Sequence, residues 1–158
     1  MYGAGLRLAE TLALMPRDVD TQAEHVRVRH GKGGKSATVG IYPRGLGLLD
    51  RWLHQRRGLG LTGRHPIFAT YEAGNIGGPL SPRYVRATLE RLGIKAGLDK
   101  RVHPHGLRHS LAFDMAQRGI PMHQIQAQMR HASLAITDRY VRHLMPADVI
   151  SVMRAGDW

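Results

Sequence analysis

Apolar positions recur at helical spacing over most of the chain and alternate with polar ones in a single stretch. Leu6 to Met15 reads as a helix, with Leu6, Ala9 and Ala13 on one side and Leu8, Leu12 and Met15 beside them; Pro16 stops it. Between residues 24 and 42 the period shortens to two. Val26 and Val28 alternate with charges, Gly31-Lys32-Gly33-Gly34-Lys35 supplies a turn, and Thr38, Val39 and Ile41 resume an extended strand. Asp18-Val19-Asp20 offers a short third strand.

Helical spacing then returns. Leu48, Leu49, Trp52 and Leu53 anchor an amphipathic helix from Gly45 to Arg57. Gly58 to Pro79 is rich in glycine and reads as loop, with Pro66-Ile67-Phe68-Ala69 a brief buried segment. Ser81-Pro82 pairs an N-cap with proline in the first turn, and Val85, Leu89, Leu92 and Ala96 form the expected buried stripe behind it. Pro104 opens a helix that Gly119 closes, with Leu107, Leu111, Ala112 and Met115 facing the core. Further helices are predicted from Pro121 to Met129, from Ser133 through Tyr140 to His143, and from Pro146 onward. The pattern predicts a mainly α chain with a small antiparallel β-sheet, and no internal repeat or linker divides its 158 residues.

Composition narrows the partner. Lys and Arg total 23 against 12 acidic residues, a formal net charge of +11, which favours a polyanion such as nucleic acid. No apolar run approaches the roughly 20 residues that cross a bilayer, and Met1-Tyr2-Gly3-Ala4-Gly5 has no secretion-signal pattern. The absence of cysteine excludes disulfides and thiolate metal sites. The expected location is the cytoplasm or nucleoid.

Candidate chemistry concentrates late in the chain. His105-Gly106-Leu107-Arg108, then His131, then Tyr140 lie within 36 residues. Arginine presents a rigid fork suited to two phosphate oxygens, and histidine moves a proton near neutral pH. A tyrosine hydroxyl becomes a covalent nucleophile when a base activates it. Glu10 sits one turn after Arg7, where an i, i+3 contact fixes the guanidinium. Bland readings stand beside these. Arg7 also suits the surface of an amphipathic helix, and Lys32 a solvated turn. His105 also suits an ordinary helix start. His103, His105 and His109 share a face that fits a metal cluster. Tyr140 shares helical spacing with Ile136 and Leu144 and fits a core position.

Four ordered blocks carry a resemblance: Gly5-Leu6-Arg7-Leu8-Ala9-Glu10, Gly31 to Lys35, Pro104-His105-Gly106-Leu107-Arg108-His109, and Met129-Arg130-His131-Ala132-Ser133 with Tyr140 nine residues after His131. Over roughly residues 3–143 the chain resembles the catalytic domain of the tyrosine recombinases, the phage-integrase family. The resemblance implies a DNA recombinase that cleaves and rejoins strands without metal or other cofactor, through a 3′-phosphotyrosine. Tyr140 would be its nucleophile, and Arg7, Arg108 and His131 would hold the phosphate. Lys32 would protonate the leaving 5′ oxygen, with Lys35 its rival, and His105 would take the tyrosine proton.

The implied partner is double-stranded DNA, contacted also by Lys35, Arg83, Arg86 and Arg130. Arg130 stands where the family commonly has glycine, so it either touches phosphate or crowds the site. A homo-oligomer, a tetramer on DNA, is implied through the segment Ala147 to Arg154, which equally suits folding back on its own domain. Residues 1–158 would be one catalytic domain, without the N-terminal DNA-clamping domain and leading helix that members usually carry. The alternative functions are a non-catalytic DNA-binding remnant and a histidine-metal hydrolase.

Overall fold

The alternation around Val26 produces a three-stranded antiparallel sheet in the order β1 (Val19–Asp20), β2 (His25–Val28), β3 (Ala37–Gly40). The structure is a computed structural model that describes residues 1–29, 36–131 and 133. Val26 pairs with Val19 on one side and Val39 on the other. Strand geometry sends alternate side chains to one face, so Val26, Val28 and Val39 are buried while Arg27 and Thr38 are exposed. The predicted hairpin and short third strand are both present; the connecting residues 30–35, with Lys32 and Lys35, lie outside the described residues.

Five α-helices accompany this sheet among the described residues: α1 (Leu8–Leu12), α2 (Pro43–Gly58), α3 (Pro82–Lys95), α4 (Pro104–Gln117) and α5 (Met122–Met129). Two apolar clusters form. The inner sheet face packs with Ala4, Leu6, Leu14, Ile41 and Ile67, and Leu46, Leu49, Trp52 and Leu53 of α2 lie against it. Leu111, Ala112 and Ala116 of α4 pack with Ile125 and Met129 of α5. The N-terminal segment runs between them. An added Cβ on Gly5 would lie 3.0 Å from Met129 Sδ and 3.2 Å from Leu111 Cδ2, and Gly5 has φ +64. Only glycine meets both demands cheaply.

Three expectations about faces need correction. The first helix is only Leu8–Leu12, because Leu6 is buried ahead of it and Arg7 is extended (φ −71, ψ 156). Ala9 and Ala13 are exposed whereas Glu10 and Thr11 are buried, since both polar side chains find partners: Thr11 Oγ1 donates to the Arg7 carbonyl, 3.0 Å, and Glu10 accepts three hydrogen bonds. On α2, Leu48 is exposed and Arg56 is buried instead, donating to the carbonyls of Thr62, His65 and Pro66. On α3, Ser81 caps as expected by accepting from Tyr84 N–H at 3.1 Å. The inner row is Val85, Leu89 and Gly93; Leu92 and Ala96 face out. Gly93 lets α3 approach Val102, whose Cγ2 would stand 2.5 Å from an added Cβ.

The predicted helices from Ser133 and from Pro146 fall outside the described residues. None of the described helices is long and apolar enough to cross a membrane.

Candidate active site

The site grows on the seam between the two clusters, where the end of α5 meets residues 4–10. Arg7 is the N-cap of α1, and Glu10 returns to it twice: Oε2 accepts the Arg7 backbone N–H at 2.7 Å and Oε1 accepts Nη1 at 2.9 Å. The predicted i, i+3 contact is therefore present. Arg7 Nη2 also donates to the Arg130 carbonyl at 3.4 Å. Its side chain remains 36% exposed, so the guanidinium reaches the surface while being held from behind.

Arg130 closes the same carboxylate from the other side. It ends α5 in the left-handed conformation (φ 52, ψ 47), the region glycine adopts without penalty. Its side chain is 13% exposed, and Nη2 donates to Glu10 Oε2 at 2.6 Å. The sequence suggested a phosphate contact or crowding for this residue; in the structure its Nη2 is paired with Glu10. Burial alone would raise the Glu10 pKa. The Arg7 backbone N–H and the Arg130 and Arg7 side chains outweigh it and hold the carboxyl below its usual range.

Arg108 lies on the inner row of α4 with Ala112 and Ala116, and is 3% exposed. A buried guanidinium requires acceptors. Nη1 donates to the Gly5 carbonyl and Nη2 to the Met129 carbonyl. The planar fork thus engages two backbone carbonyls from segments far apart in sequence, and its charge sits directly beneath the seam.

The histidines rim this charge. His103 is the N-cap of α4, its Nδ1 accepting the Gly106 N–H at 3.1 Å. The His105 and His109 rings meet edge to face with centroids 3.9 Å apart. His131 follows α5; its backbone N–H donates to the Gln126 carbonyl at 3.2 Å, and Gln126 Nε2 donates back to the His131 carbonyl at 3.2 Å. Burial first, then Arg108 and Arg7, then His109 and His105, bring the His131 pKa down to about 4. Burial and the charges of His105, Arg108 and His103 bring His109 to about 4 as well. His105 is lowered by burial, Arg108, His103 and Arg7. Arg7 and Arg108 both reach the end of α5, at the carbonyls of Arg130 and Met129 beside His131, and His105 lies three residues before Arg108 on α4. At neutral pH the three lowered imidazoles are uncharged, each able to accept a proton or donate one N–H.

Arg83 and Arg86 lie exposed in the first turns of α3. Lys32, Lys35 and Tyr140 lie outside the described residues. Among the described residues, no group of three or more histidine or acidic side chains is arranged to hold a metal ion. Sequence reasoning missed Gln128, the Gly5 and Met129 carbonyls, and the pairing of Arg130 with Glu10. An arginine in a position that favours glycine was the available signal for the last of these; backbone acceptors leave none.

A small antiparallel sheet with one short α-helix before it and four after it among the described residues is the fold of the tyrosine recombinase catalytic domains. The profile of the Phage integrase family matches residues 1–146, and the chain belongs to that family. Tyrosine recombinase XerC of Bradyrhizobium diazoefficiens is 38% identical over 141 residues, covering 89% of this chain and 42% of that protein. Tyrosine recombinase XerA of Pyrococcus furiosus is 37% identical over 142 residues, covering 90% of this chain and 47% of that protein. The chain therefore spans less than half the length of these relatives. In three dimensions it is similar to the crystal structure of XerA recombinase, with a TM-score of 0.83 and 28% identity, over 99% of this chain and 56% of that one. The Tn1549 transposon integrase, solved in complex with a circular intermediate DNA, shares the fold at a TM-score of 0.72 and 19% identity, over 97% of this chain and 55% of that one.

Proposed function

We propose that this chain is the catalytic domain of a site-specific DNA recombinase that cuts and rejoins strands through a tyrosine–phosphate bond. The observation that supports the reading is the hydrogen-bonded seam that brings Arg7 and Arg108 to the end of α5 beside His131, with His105 three residues before Arg108 on α4. Such a cluster is suited to a phosphodiester, whose equatorial oxygens gain negative charge when an oxygen nucleophile adds. Arg7 and Arg108 supply the compensating charge and His131 a neutral N–H. His105, kept uncharged by burial and the arginines, is able to accept the phenol proton.

Tyr140 attacks the phosphorus and retains the 3′ end. The 5′ oxygen leaves with a proton from Lys32, and the reverse steps reseal the strand. The covalent bond conserves the energy of the diester, so religation needs no nucleotide cofactor. XerH recombinase, 25% identical with a TM-score of 0.78 over 98% of this chain and 42% of that one, has been solved bound to a palindromic difH substrate as a post-cleavage complex, which supports duplex DNA as the substrate here. Assembly as a tetramer on DNA, and action at the nucleoid, belong to the same reading.

The test is covalent trapping. Nicked duplexes carrying candidate attachment sites should give a protein–DNA adduct that survives denaturing electrophoresis, and Tyr140→Phe should abolish it. Binding of the same duplexes without any adduct would identify a DNA-binding remnant instead.

A further inference from the structure

We propose that Gln128 is a positioning residue that sets where the phosphate-binding arginines stand. The inference rests on the phosphodiester reading of the site. Among the described residues β3 is an edge strand, paired with β2. At its end Ile41 N–H donates to the Glu24 carbonyl at 2.9 Å, while the amide and carbonyl of Gly40 point the opposite way. The side-chain amide of Gln128 meets both: Oε1 accepts the Gly40 N–H at 3.0 Å and Nε2 donates to the Gly40 carbonyl at 2.8 Å. It thus completes the edge as a neighbouring strand would. Nε2 donates in addition to the Ala4 carbonyl at 3.3 Å.

The adjoining residues make ties to the same segment. Arg108 links the Gly5 and Met129 carbonyls. Arg7 donates to the Arg130 carbonyl, and the Arg130 side chain reaches Glu10. Residues 128, 129 and 130 therefore fasten residues 4, 5, 7 and 10 in order. Gln128 is the uncharged side chain among the donors that make these ties, and it extends the seam to the sheet. Removing its amide leaves the carbonyl pair around Arg108 and the neighbour of Arg7 fixed on one side only.

The experiment compares Gln128→Met with the unaltered 158-residue chain by amide hydrogen exchange and by cleavage of two nicked duplexes. One duplex carries the ordinary diester and the other a methylphosphonate at the cut position, which lacks the negative oxygen the arginines neutralise. Loss of the side-chain hydrogen bond that holds the exposed Gly40 amide should speed Gly40 exchange several-fold, on the order of tenfold, and slow diester cleavage by a similar factor. Because misplaced arginines matter less without that charge, methylphosphonate cleavage should fall by less than about twofold. Unchanged exchange at Gly40, or an equal fall on both substrates, overturns the proposal. Should the unaltered chain cut neither duplex, the recombinase reading falls, and Gly40 exchange alone decides for or against the tie. Leu111 and Ala112 amides report whether the variant is folded. If it is not, Gln128→Glu, which keeps an acceptor but cannot donate to either carbonyl, takes its place.

Discussion

Glu10 binds two guanidinium groups through one carboxylate. Its three hydrogen bonds couple the half-exposed Arg7 to the largely covered Arg130, whose Nε and Nη1 have no hydrogen-bond partner among the described residues. Glu10→Gln preserves shape but removes the charge and turns an N–H group toward an arginine. Losing hydrogen bonds to charged groups in a half-buried site should cost about 1–3 kcal/mol. The expected result is a lower unfolding midpoint together with slower adduct formation, measured by calorimetry and covalent trapping at pH 7. A variant matching the parent in both would show that Arg7 is held by something else. At this scale the sequence displayed the Arg7–Glu10 spacing but not the second partner, because Arg130 arrives from 120 positions away.

Among the elements, short segments without regular structure decide the site. Leu6 and Arg7 are not in the helix that periodicity assigns to them, and the reason lies in Gly5. Its positive φ turns the chain so that the Gly5 carbonyl meets Arg108, and an added Cβ there would lie 3.0 Å from Met129 Sδ. Gly5→Ala places a methyl group against Met129 and Leu111 in a strained backbone region, and should destabilise by about 1–3 kcal/mol. Thermal unfolding checks the value; an unchanged midpoint would show that the seam yields easily. The rotation of α3 has a similar origin. Both stripes through Val85 and Leu89 satisfy helical spacing, and the close contact of Gly93 with Val102 selects the row ending at residue 93.

For the molecule as a whole, the gathering of positive charge has a consequence for acid stability. His109 and His131 fall from the ordinary 6.5 to about 4 in the folded chain. Between those two values the unfolded chain binds more protons than the folded one, so unfolding becomes easier as pH falls. The unfolding midpoint should therefore decline from about pH 6.5 toward about pH 4, and His131→Asn should make that decline shallower. A midpoint independent of pH across this window would contradict the lowered imidazoles. The sequence by itself determined the strand alternation at Val26 and Val28, the cap at Ser81, the excess of cations and the ordered blocks around Arg7, His105, Arg108 and His131. These depend on local backbone geometry and side-chain chemistry, which are written position by position. Only the tertiary structure decided that Arg108 spans the Gly5 and Met129 carbonyls, that Glu10 serves two arginines, and that Gln128 closes the edge of β3. Those contacts join residues as far as 120 positions apart, and they exist only once the two apolar clusters have packed and set the distance across their seam.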